Sequence, residues 1–148
     1  MLRIGLISDT HGLLRPEVLA WLEGSAHILH AGDICAPQVL EQLAQIAPLT
    51  AVRGNNDTGP WAAALRDRET LQFEGVAVHM LHDLKELALE APVAVVVSSH
   101  SHKPCVEQQA GTLFVNPGSA GPRRFSLPIS AGELRIADGR VSAHLVQF

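Results

Sequence analysis

Residues 48–57 have the sequence Pro-Leu-Thr-Ala-Val-Arg-Gly-Asn-Asn-Asp, an apolar run that ends near two adjacent uncharged amides. The run Pro48–Val52 is typical of a buried strand. Gly, Asn and Asp adopt tight or left-handed backbone conformations at little cost, so a turn is the simplest interpretation of residues 53–57. The same succession of an apolar run and a polar end occurs elsewhere along the chain, which indicates more than a turn.

The chain before this segment alternates between apolar runs and amphipathic segments. Residues 2–8 and 26–31 are typical of strands buried on both faces. Pro16 and Pro37 suit the first position of a helix, and apolar side chains recur on one helical face after each of them. The order strand, helix, strand, helix, strand predicts right-handed crossovers and a parallel sheet.

The second half of the chain consists of short strands separated by tight turns. Hairpins are predicted over residues 69–81, 105–116 and 129–148. Between them, residues 84–89 predict a short helix and residues 92–97 a strongly apolar strand. We therefore predict an α/β fold of two packed sheets flanked by helices, with a βαβαβ first half and a second half made mainly of antiparallel hairpins.

Length and composition restrict the class of protein. The 148 residues are expected to form a single domain, residues 1–148, and the net charge of −4 gives no strong signal for nucleic-acid or membrane binding. No apolar run has the length of a transmembrane helix, and the N-terminus has no signal-peptide pattern. Cys35 and Cys105 are far apart in the sequence, so we expect free thiols and a cytoplasmic location.

Side chains that suit divalent metal ions follow five of the apolar runs. They are Asp9, His11, Asp33, Asn55 or Asn56, His82, His100 and His102. Each one alone is better explained as a helix cap, a turn or a surface histidine. The carboxyl ends of strands meet in one crevice in open α/β sheets, so their repeated placement predicts that these side chains converge. Carboxylates, an amide oxygen and imidazoles suit manganese, iron, zinc or related ions, and the lack of sulfur ligands argues against a structural zinc site.

The order and spacing of these residues resemble the motif set of the calcineurin-like metallophosphoesterases. The matching segments are Asp9-Thr-His11, Gly32-Asp33, Gly54-Asn55-Asn56-Asp57, His82 and His100-Ser-His102. Asn116-Pro-Gly-Ser119 resembles a further segment of the small prokaryotic phosphodiesterase branch of that superfamily. The resemblance covers essentially the whole chain, and it implies an α-β-β-α sandwich that holds two divalent metal ions.

The resemblance also implies roles for individual residues. One metal ion would be bound by Asp9, His11 and His102, the other by Asn55, His82 and His100, and Asp33 would bridge the two. Mn²⁺ is the expected metal, with Fe, Zn, Ni, Co or Mg as alternatives. A hydroxide that bridges the two ions would attack the phosphorus atom, so that Asp33, His11 and Asn55 take part in catalysis and no protein nucleophile is needed.

The chain departs from the family pattern at three positions. Larger members carry a histidine directly after the metal-binding asparagine, where it can protonate the leaving group, and this chain has Asn56. Ser99 stands where a glycine usually precedes the paired histidines, and Asp83 stands where a glycine commonly follows the single histidine. Asn56 is therefore expected near the substrate phosphate in the place of a missing acid, with Asp57 or a metal-bound water as the alternative acid.

The remaining histidines are predicted to lie outside the site. His79 and His82 differ by three positions, so on a strand they face opposite sides, and His82 is assigned to the site because it lies at the strand end. The histidines predicted to be structural are His27, His30, His79 and His144. A soft thiolate would compete for the wrong ions, so Cys35 is given no role.

These observations predict a metal-dependent phosphoesterase, more specifically a phosphodiesterase acting on a small-molecule ester. Arg123 and Arg124 are the best basic candidates for contact with a substrate phosphate, although two solvated surface arginines fit the sequence equally well. The competing interpretation is a metal-binding scaffold for partner proteins, because the chain also resembles the retromer scaffold subunit, which has lost much of its catalytic equipment. Retention of the whole ligand set favours the enzyme. The natural substrate and a homo-oligomeric state are left open.

Overall fold

The first half of the chain alternates strands and helices as predicted. A computed structural model describes residues 1–148. Its first elements are β1 (Leu2–Ile7), α1 (Pro16–Leu22), β2 (His27–His30), α2 (Pro37–Ala44) and β3 (Leu49–Ala51). Both helices begin on the predicted prolines, whose fixed φ suits that position. The strands β1, β2 and β3 are parallel neighbours, so the βαβαβ prediction is confirmed.

The second half supplies seven further strands. They are β4 (Arg68–Phe73), β5 (Val76–Leu81), β6 (Val95–Val97), β7 (Cys105–Gln109), β8 (Thr112–Asn116), β9 (Ser130–Ala137) and β10 (Arg140–Gln147). The three predicted hairpins are confirmed as the antiparallel pairs β4–β5, β7–β8 and β9–β10. The strand β6 runs parallel to both of its neighbours, β5 and β8. The result is two five-stranded sheets, in the orders β10-β9-β1-β2-β3 and β4-β5-β6-β8-β7.

The prediction of a helix over residues 84–89 is wrong. The predicted α/β class with two sheets is confirmed. A single 3₁₀ turn forms at Leu84–Glu86, and the Asp83 carboxylate accepts a hydrogen bond of 3.1 Å from the Lys85 backbone N–H. The segment stops before Pro92, and so short a helix forms too few hydrogen bonds to offset its nucleation. The outer face of the second sheet is therefore covered in part by a loop, from which Leu87 packs against the sheet.

Two apolar layers hold these elements together. Ile4, Leu6, Val78 and Val95 are among the side chains that fill the layer between the two sheets. The helices cover the opposite face of the first sheet, where Leu22 is fully buried. Burial of one such side chain contributes about 1.5–3 kcal/mol, so the sheets form a firm support for the loops at their edge. No helix of the chain is long and apolar enough to span a membrane.

The candidate donors all lie just beyond the carboxyl ends of strands. Asp9 and His11 follow β1, Asp33 follows β2, Asn55 follows β3, His82 follows β5, and His100 and His102 follow β6. The strands β1 to β3 are parallel in one sheet, and β5 and β6 are parallel in the other. Their carboxyl ends meet at one edge of the two packed sheets, where a parallel sheet commonly binds its ligands.

Candidate metal centre

The first donor group consists of Asp9, His11 and His102. One ligand atom from each residue lies within 4.8 Å of the other two, and the rings of His11 and His102 stack with centroids 5.3 Å apart. Asp9 Oδ1, His11 Nε2 and His102 Nδ1 are buried and have no hydrogen-bond partner. A buried polar atom without a partner is destabilising by about 1–3 kcal/mol, and native structures contain few of them. Three such atoms in one group fit a site for a cation.

The second donor group consists of Asp33, His82 and His100, and it includes the Asn55 amide. The ligand atoms of the first three residues lie within 4.8 Å of one another. Asn55 Oδ1 lies 2.9 Å from His82 Nε2 and 3.1 Å from His100 Nδ1. The structure thus brings an amide oxygen, a carboxylate and two imidazoles together at the ends of four strands. Of the two adjacent asparagines, Asn55 is the one whose oxygen faces the histidines.

Asp33 is the carboxylate that adjoins both donor groups. Its Oδ2 atom lies 3.3 Å from His82 Nε2 and 3.7 Å from His11 Nε2. Burial alone would raise the pKa of Asp33, but hydrogen bonds from His82 and Asn56 outweigh it and hold the pKa well below its ordinary range. Asp33 is therefore ionised at neutral pH and offers a negative charge to each group.

Burial has different consequences for the first donor group. It lowers the pKa of His11, and it lowers the pKa of His102 to about 4, with the positive charge of Arg124 acting in the same direction on both rings. Both imidazoles are neutral at pH 7 and keep the lone pair that a metal ligand needs. Burial also raises the pKa of Asp9 to about 7. A divalent cation next to the buried Asp9 carboxylate would favour its ionised form, so these residues fit such an ion.

Many of the candidate donors adopt a left-handed backbone conformation. Five of the seven have positive φ values: Asp9 (53°), His11 (46°), Asp33 (59°), His100 (73°) and His102 (63°). Non-glycine residues rarely adopt such values, and each instance is destabilising by about 1–3 kcal/mol. Residues in unfavourable backbone conformations cluster at functional sites, and all five of these residues belong to the two donor groups.

Two glycines allow the strand ends to approach each other closely. A Cβ atom on Gly32, whose φ is +104°, would lie 2.7 Å from His82 Nδ1. A Cβ atom on Gly54 would clash with the backbone nitrogen and the carboxylate of Asp33. Glycine is therefore required at positions 32 and 54 for a steric reason, in addition to the turn predicted over residues 53–57.

Asp57 holds the loop that carries Asp33. Its Oδ1 accepts hydrogen bonds from the backbone N–H groups of Ile34 and Cys35, both at 2.8 Å. Its Oδ2 accepts from the backbone N–H groups of Asp33 at 3.0 Å and Gly54 at 2.8 Å. With four N–H donors on its two oxygens, Asp57 has a structural role, which argues against the sequence-based suggestion that it acts as an acid.

We expect the Asp57→Ala variant to be destabilised by roughly 3 kcal/mol. The substitution leaves four backbone N–H groups without their acceptor, and hydrogen bonds to a charged group contribute about 1.5–3 kcal/mol each without being additive. Urea unfolding followed by circular dichroism measures the loss. The Asp57→Asn variant, which keeps one acceptor oxygen, should lie between the two proteins; equal stability of all three would contradict the structural role.

Ser99 is a partner of His82 that the sequence did not identify. Its hydroxyl donates to the Ala31 carbonyl at 2.7 Å and lies 2.7 Å from His82 Nδ1. His82 Nδ1 also lies 2.9 Å from the Ala31 carbonyl, to which its N–H donates. These contacts occupy Nδ1 and leave Nε2 facing Asp33 and Asn55. A metal-binding histidine commonly has such a partner on its other nitrogen, so serine at this position is compatible with a working site.

The other histidines lie outside the two donor groups. His30 is fully buried; its Nδ1 accepts from the Gly32 N–H at 3.1 Å, and its Nε2 lies 3.0 Å from Thr10 Oγ1, so it links two of the loops. His79 Nδ1 bonds with Thr70 Oγ1 at 2.7 Å and lines a separate groove of about 680 Å³ that contains none of the clustered donors. The two others bond with hydroxyls of neighbouring strand residues: His27 with Thr50, and His144 with Ser142.

The predicted substrate-contact residues have different environments. Asn56 is exposed, and its Nδ2 donates to Asp33 Oδ2 at 3.0 Å. Arg123 and Arg124 are exposed and form no ion pair, but Arg124 is close enough to lower the pKa of both histidines of the first group. They follow a segment bonded to the end of β1, because the Ser119 hydroxyl donates to the Asp9 carbonyl at 3.1 Å. Arg124 is thus the better placed of the two arginines.

Cys35, to which the sequence analysis assigns no role, lies beside the first donor group. Its Sγ atom is 3.5 Å from His11 Nδ1. Burial, followed by the negative charge of Asp57, raises the pKa of the Cys35 thiol to about 11. The sulfur is therefore protonated at neutral pH and is a poor metal ligand.

Comparisons with known proteins agree with this arrangement. The family profile described as the calcineurin-like phosphoesterase superfamily domain matches residues 2–139. A protein named as a probable metallophosphoesterase from Methanothermobacter thermautotrophicus is 32% identical, and the match covers 97% of this chain and 91% of that protein.

Solved structures resemble the fold as a whole. Vps29 from Chaetomium thermophilum has a TM-score of 0.80 at 19% identity, covering 100% of this chain and 97% of that one. An archaeal phosphodiesterase has a TM-score of 0.78 at 19% identity, covering 98% of this chain and 100% of that one. At this identity, the two likenesses concern the fold.

Proposed function

Because the chain belongs to the calcineurin-like phosphoesterase superfamily, we propose that it is a metal-dependent phosphodiesterase acting on a small-molecule ester. The observation that carries this proposal is the pair of donor groups joined by Asp33, the first of which contains three buried polar atoms without a hydrogen-bond partner in the protein. The whole of residues 1–148 would act as one domain. The two free thiols are compatible with the cytoplasmic location expected from the sequence.

The proposed ligand sets follow the two donor groups. Asp9, His11 and His102 would hold one divalent ion, Asn55, His82 and His100 a second, and Asp33 would serve both. The oxygen and nitrogen donors suit Mn²⁺, with Fe, Zn, Ni, Co or Mg as alternatives. When bound, such ions lower the pKa of water and offset the negative charge that develops on the phosphoryl oxygens.

The protein's own residues would orient the ester and the ligands. Asp57 holds the loop of Asp33, and Ser99 fixes the ring of His82. Asn56 holds Asp33 through its amide and lies next to the place where a phosphoryl group would bind. Arg124 supplies a positive charge beside the first donor group.

A metal-binding scaffold for partner proteins is the second candidate. The likeness of the fold to Vps29 is the observation in its favour. The donor set argues against it, because a surface that only binds another protein does not need seven converging ligand side chains. The departures at Ser99 and Asn56 do not favour the scaffold, since both side chains bond within the centre.

Hydrolysis of bis(4-nitrophenyl) phosphate tests the proposed function. The metal-free protein should be inactive, and Mn²⁺ should restore release of nitrophenol in proportion to its occupancy. The same assay with 4-nitrophenyl phosphate tests the preference for a diester over a monoester. A chain that binds metal but hydrolyses neither ester with any of the candidate ions would favour the scaffold.

The same assay should distinguish the histidines of the two donor groups from those that lie outside them. We expect His82→Ala and His102→Ala to lose metal-dependent turnover while remaining folded, because residues at strand ends contribute little to the core. His79→Ala and His144→Ala should remain active apart from any loss of stability. Circular dichroism checks folding, and a folded but inactive His79 variant beside an active His82 variant would reverse the assignment of the two faces.

A further inference from the structure

A pocket lies next to the second donor group, on the outer face of the second sheet. This outer pocket has a volume of about 440 Å³ and lies between the 3₁₀ turn at Leu84–Glu86 and the ends of β6, β7 and β8. Its walls include Leu84, Cys105, Phe114 and Asn116. Pockets of about 300–1,000 Å³ suit a drug-sized ligand. The outer pocket is therefore large enough for a ring-bearing substituent.

His100 joins the outer pocket to the candidate metal centre. It lines the pocket, and its Nδ1 lies 3.1 Å from Asn55 Oδ1 and 3.2 Å from His82 Nε2. Asn116, on the pocket wall, donates through Nδ2 to the Ser99 carbonyl at 3.3 Å. A phosphoryl group bound at the second donor group would thus have one of its ester oxygens beside the mouth of the outer pocket.

The chemistry of the walls selects the kind of substituent. Leu84 and Phe114 present apolar surface, and Leu84 is 43% exposed. The charged side chains around the pocket balance, because it is lined by two lysines and two acids: Lys85, Lys103, Asp83 and Glu107. Apolar walls without a net charge suit an uncharged ring, and Asn116 and Ser101 offer hydrogen-bonding groups at its edge.

We propose that the outer pocket binds one ester substituent of the substrate, an uncharged ring-bearing group such as an aryl or a nucleoside. This assignment rests on the proposed function, since it places the phosphoryl group at the metal centre. It names the substrate class as diesters with at least one ring-bearing alcohol, and it makes Leu84 and Phe114 residues that determine specificity.

The native thiol of Cys105 allows binding to be measured without turnover. Cys105 is exposed and lines the outer pocket, whereas Cys35 lies beside His11. The Mn²⁺-loaded protein is alkylated with iodoacetamide in the presence of diphenyl phosphate or, at equal concentration, dimethyl phosphate. Both are singly charged diesters, and only the first carries rings. Peptide mass spectrometry then follows the two cysteines separately.

We expect diphenyl phosphate to slow alkylation of Cys105 severalfold and dimethyl phosphate to leave it unchanged. Equal rates with both esters, or no protection with either, would overturn the assignment of the outer pocket. Because the measurement does not require hydrolysis, it separates the two proposals: a protein that hydrolyses diesters without protection of Cys105 retains the function and loses the pocket. Protection without hydrolysis by any candidate ion would retain the pocket as a binding site and reject the enzyme.

Two exposed leucines of the same segment supply a matched pair of variants. Leu84 lines the outer pocket, and Leu89, which is 39% exposed, lines the separate groove instead. Leu84→Ala should raise KM for bis(4-nitrophenyl) phosphate about tenfold. This is the lower end of the range, about 10- to 200-fold, by which a changed apolar contact in a hydrophobic pocket alters substrate discrimination. Leu89→Ala should match the unmodified protein, and equal effects of the two substitutions would contradict the proposal.

Discussion

The Asp33→Ala variant is expected to bind both metal ions more weakly and to lose more than about 10²-fold of its turnover. Loss of a single hydrogen-bonding partner behind a ligand already reduces metal affinity or activity by about 10- to 100-fold. Asp33 adjoins both donor groups, with its Oδ2 3.3 Å from His82 Nε2 and 3.7 Å from His11 Nε2. Its removal therefore affects two sites at once, whereas the loss of one histidine removes a ligand from a single site.

Metal analysis of the purified protein is the direct measurement for this variant. The unmodified chain should bind two divalent ions, and Asp33→Ala should weaken both. Asp67→Ala is the matched control, because the Asp67 side chain is 63% exposed and pairs only with Arg53. A single bound ion whose affinity is the same in both variants would rule out a centre with two ions that share Asp33.

Hydrolysis is expected to depend steeply on the acidity of the leaving group. General acid assistance typically contributes about 10²–10⁴ in rate, and the amide of Asn56 cannot donate a proton as an imidazolium can. The Asp57 carboxylate is engaged elsewhere, because it accepts hydrogen bonds from four backbone N–H groups. The leaving oxygen must therefore depart unassisted or take a proton from water, so nitrophenyl esters should react readily and simple alkyl esters slowly.

A series of methyl phosphodiesters with aryl and alkyl leaving groups measures this dependence. Asn56→His should reduce it, provided that the new ring reaches the leaving oxygen. Asn56→Ala is the necessary comparison, because both substitutions remove the 3.0 Å hydrogen bond from Asn56 to Asp33 and only one supplies an acid. A flat dependence in the unmodified protein would show that another group already protonates the leaving oxygen.

The donors could be predicted from the sequence because each follows an apolar run. The runs before Asp9 and Asp33 form the parallel strands β1 and β2, and parallel strands place their carboxyl ends at one edge. Neither conclusion needs knowledge of contacts between distant residues.

The parts that sequence reasoning missed depend on contacts between separate loops. The acceptor role of Asp57 involves backbone groups of residues 33–35, and such contacts have no sequence pattern. In the sequence, Ser99 is visible only as a departure from the family pattern. Its contact with His82 could not be predicted, because His82 follows a different strand. The helix over residues 84–89 is predicted from the spacing of the leucines in that segment. The segment forms only one 3₁₀ turn, which leaves the outer pocket open beside Leu84.

The left-handed backbone at five donor residues affects how this chain can evolve. Replacing His102 by glycine would remove a donor and relieve an unfavourable φ of 63° in a single step. Mutations that abolish turnover can therefore leave the chain as stable as before, or more so, and selection for folding alone would not remove them. A protein of this architecture can give up catalysis and keep its shape, so only demand for the reaction preserves such residues over time.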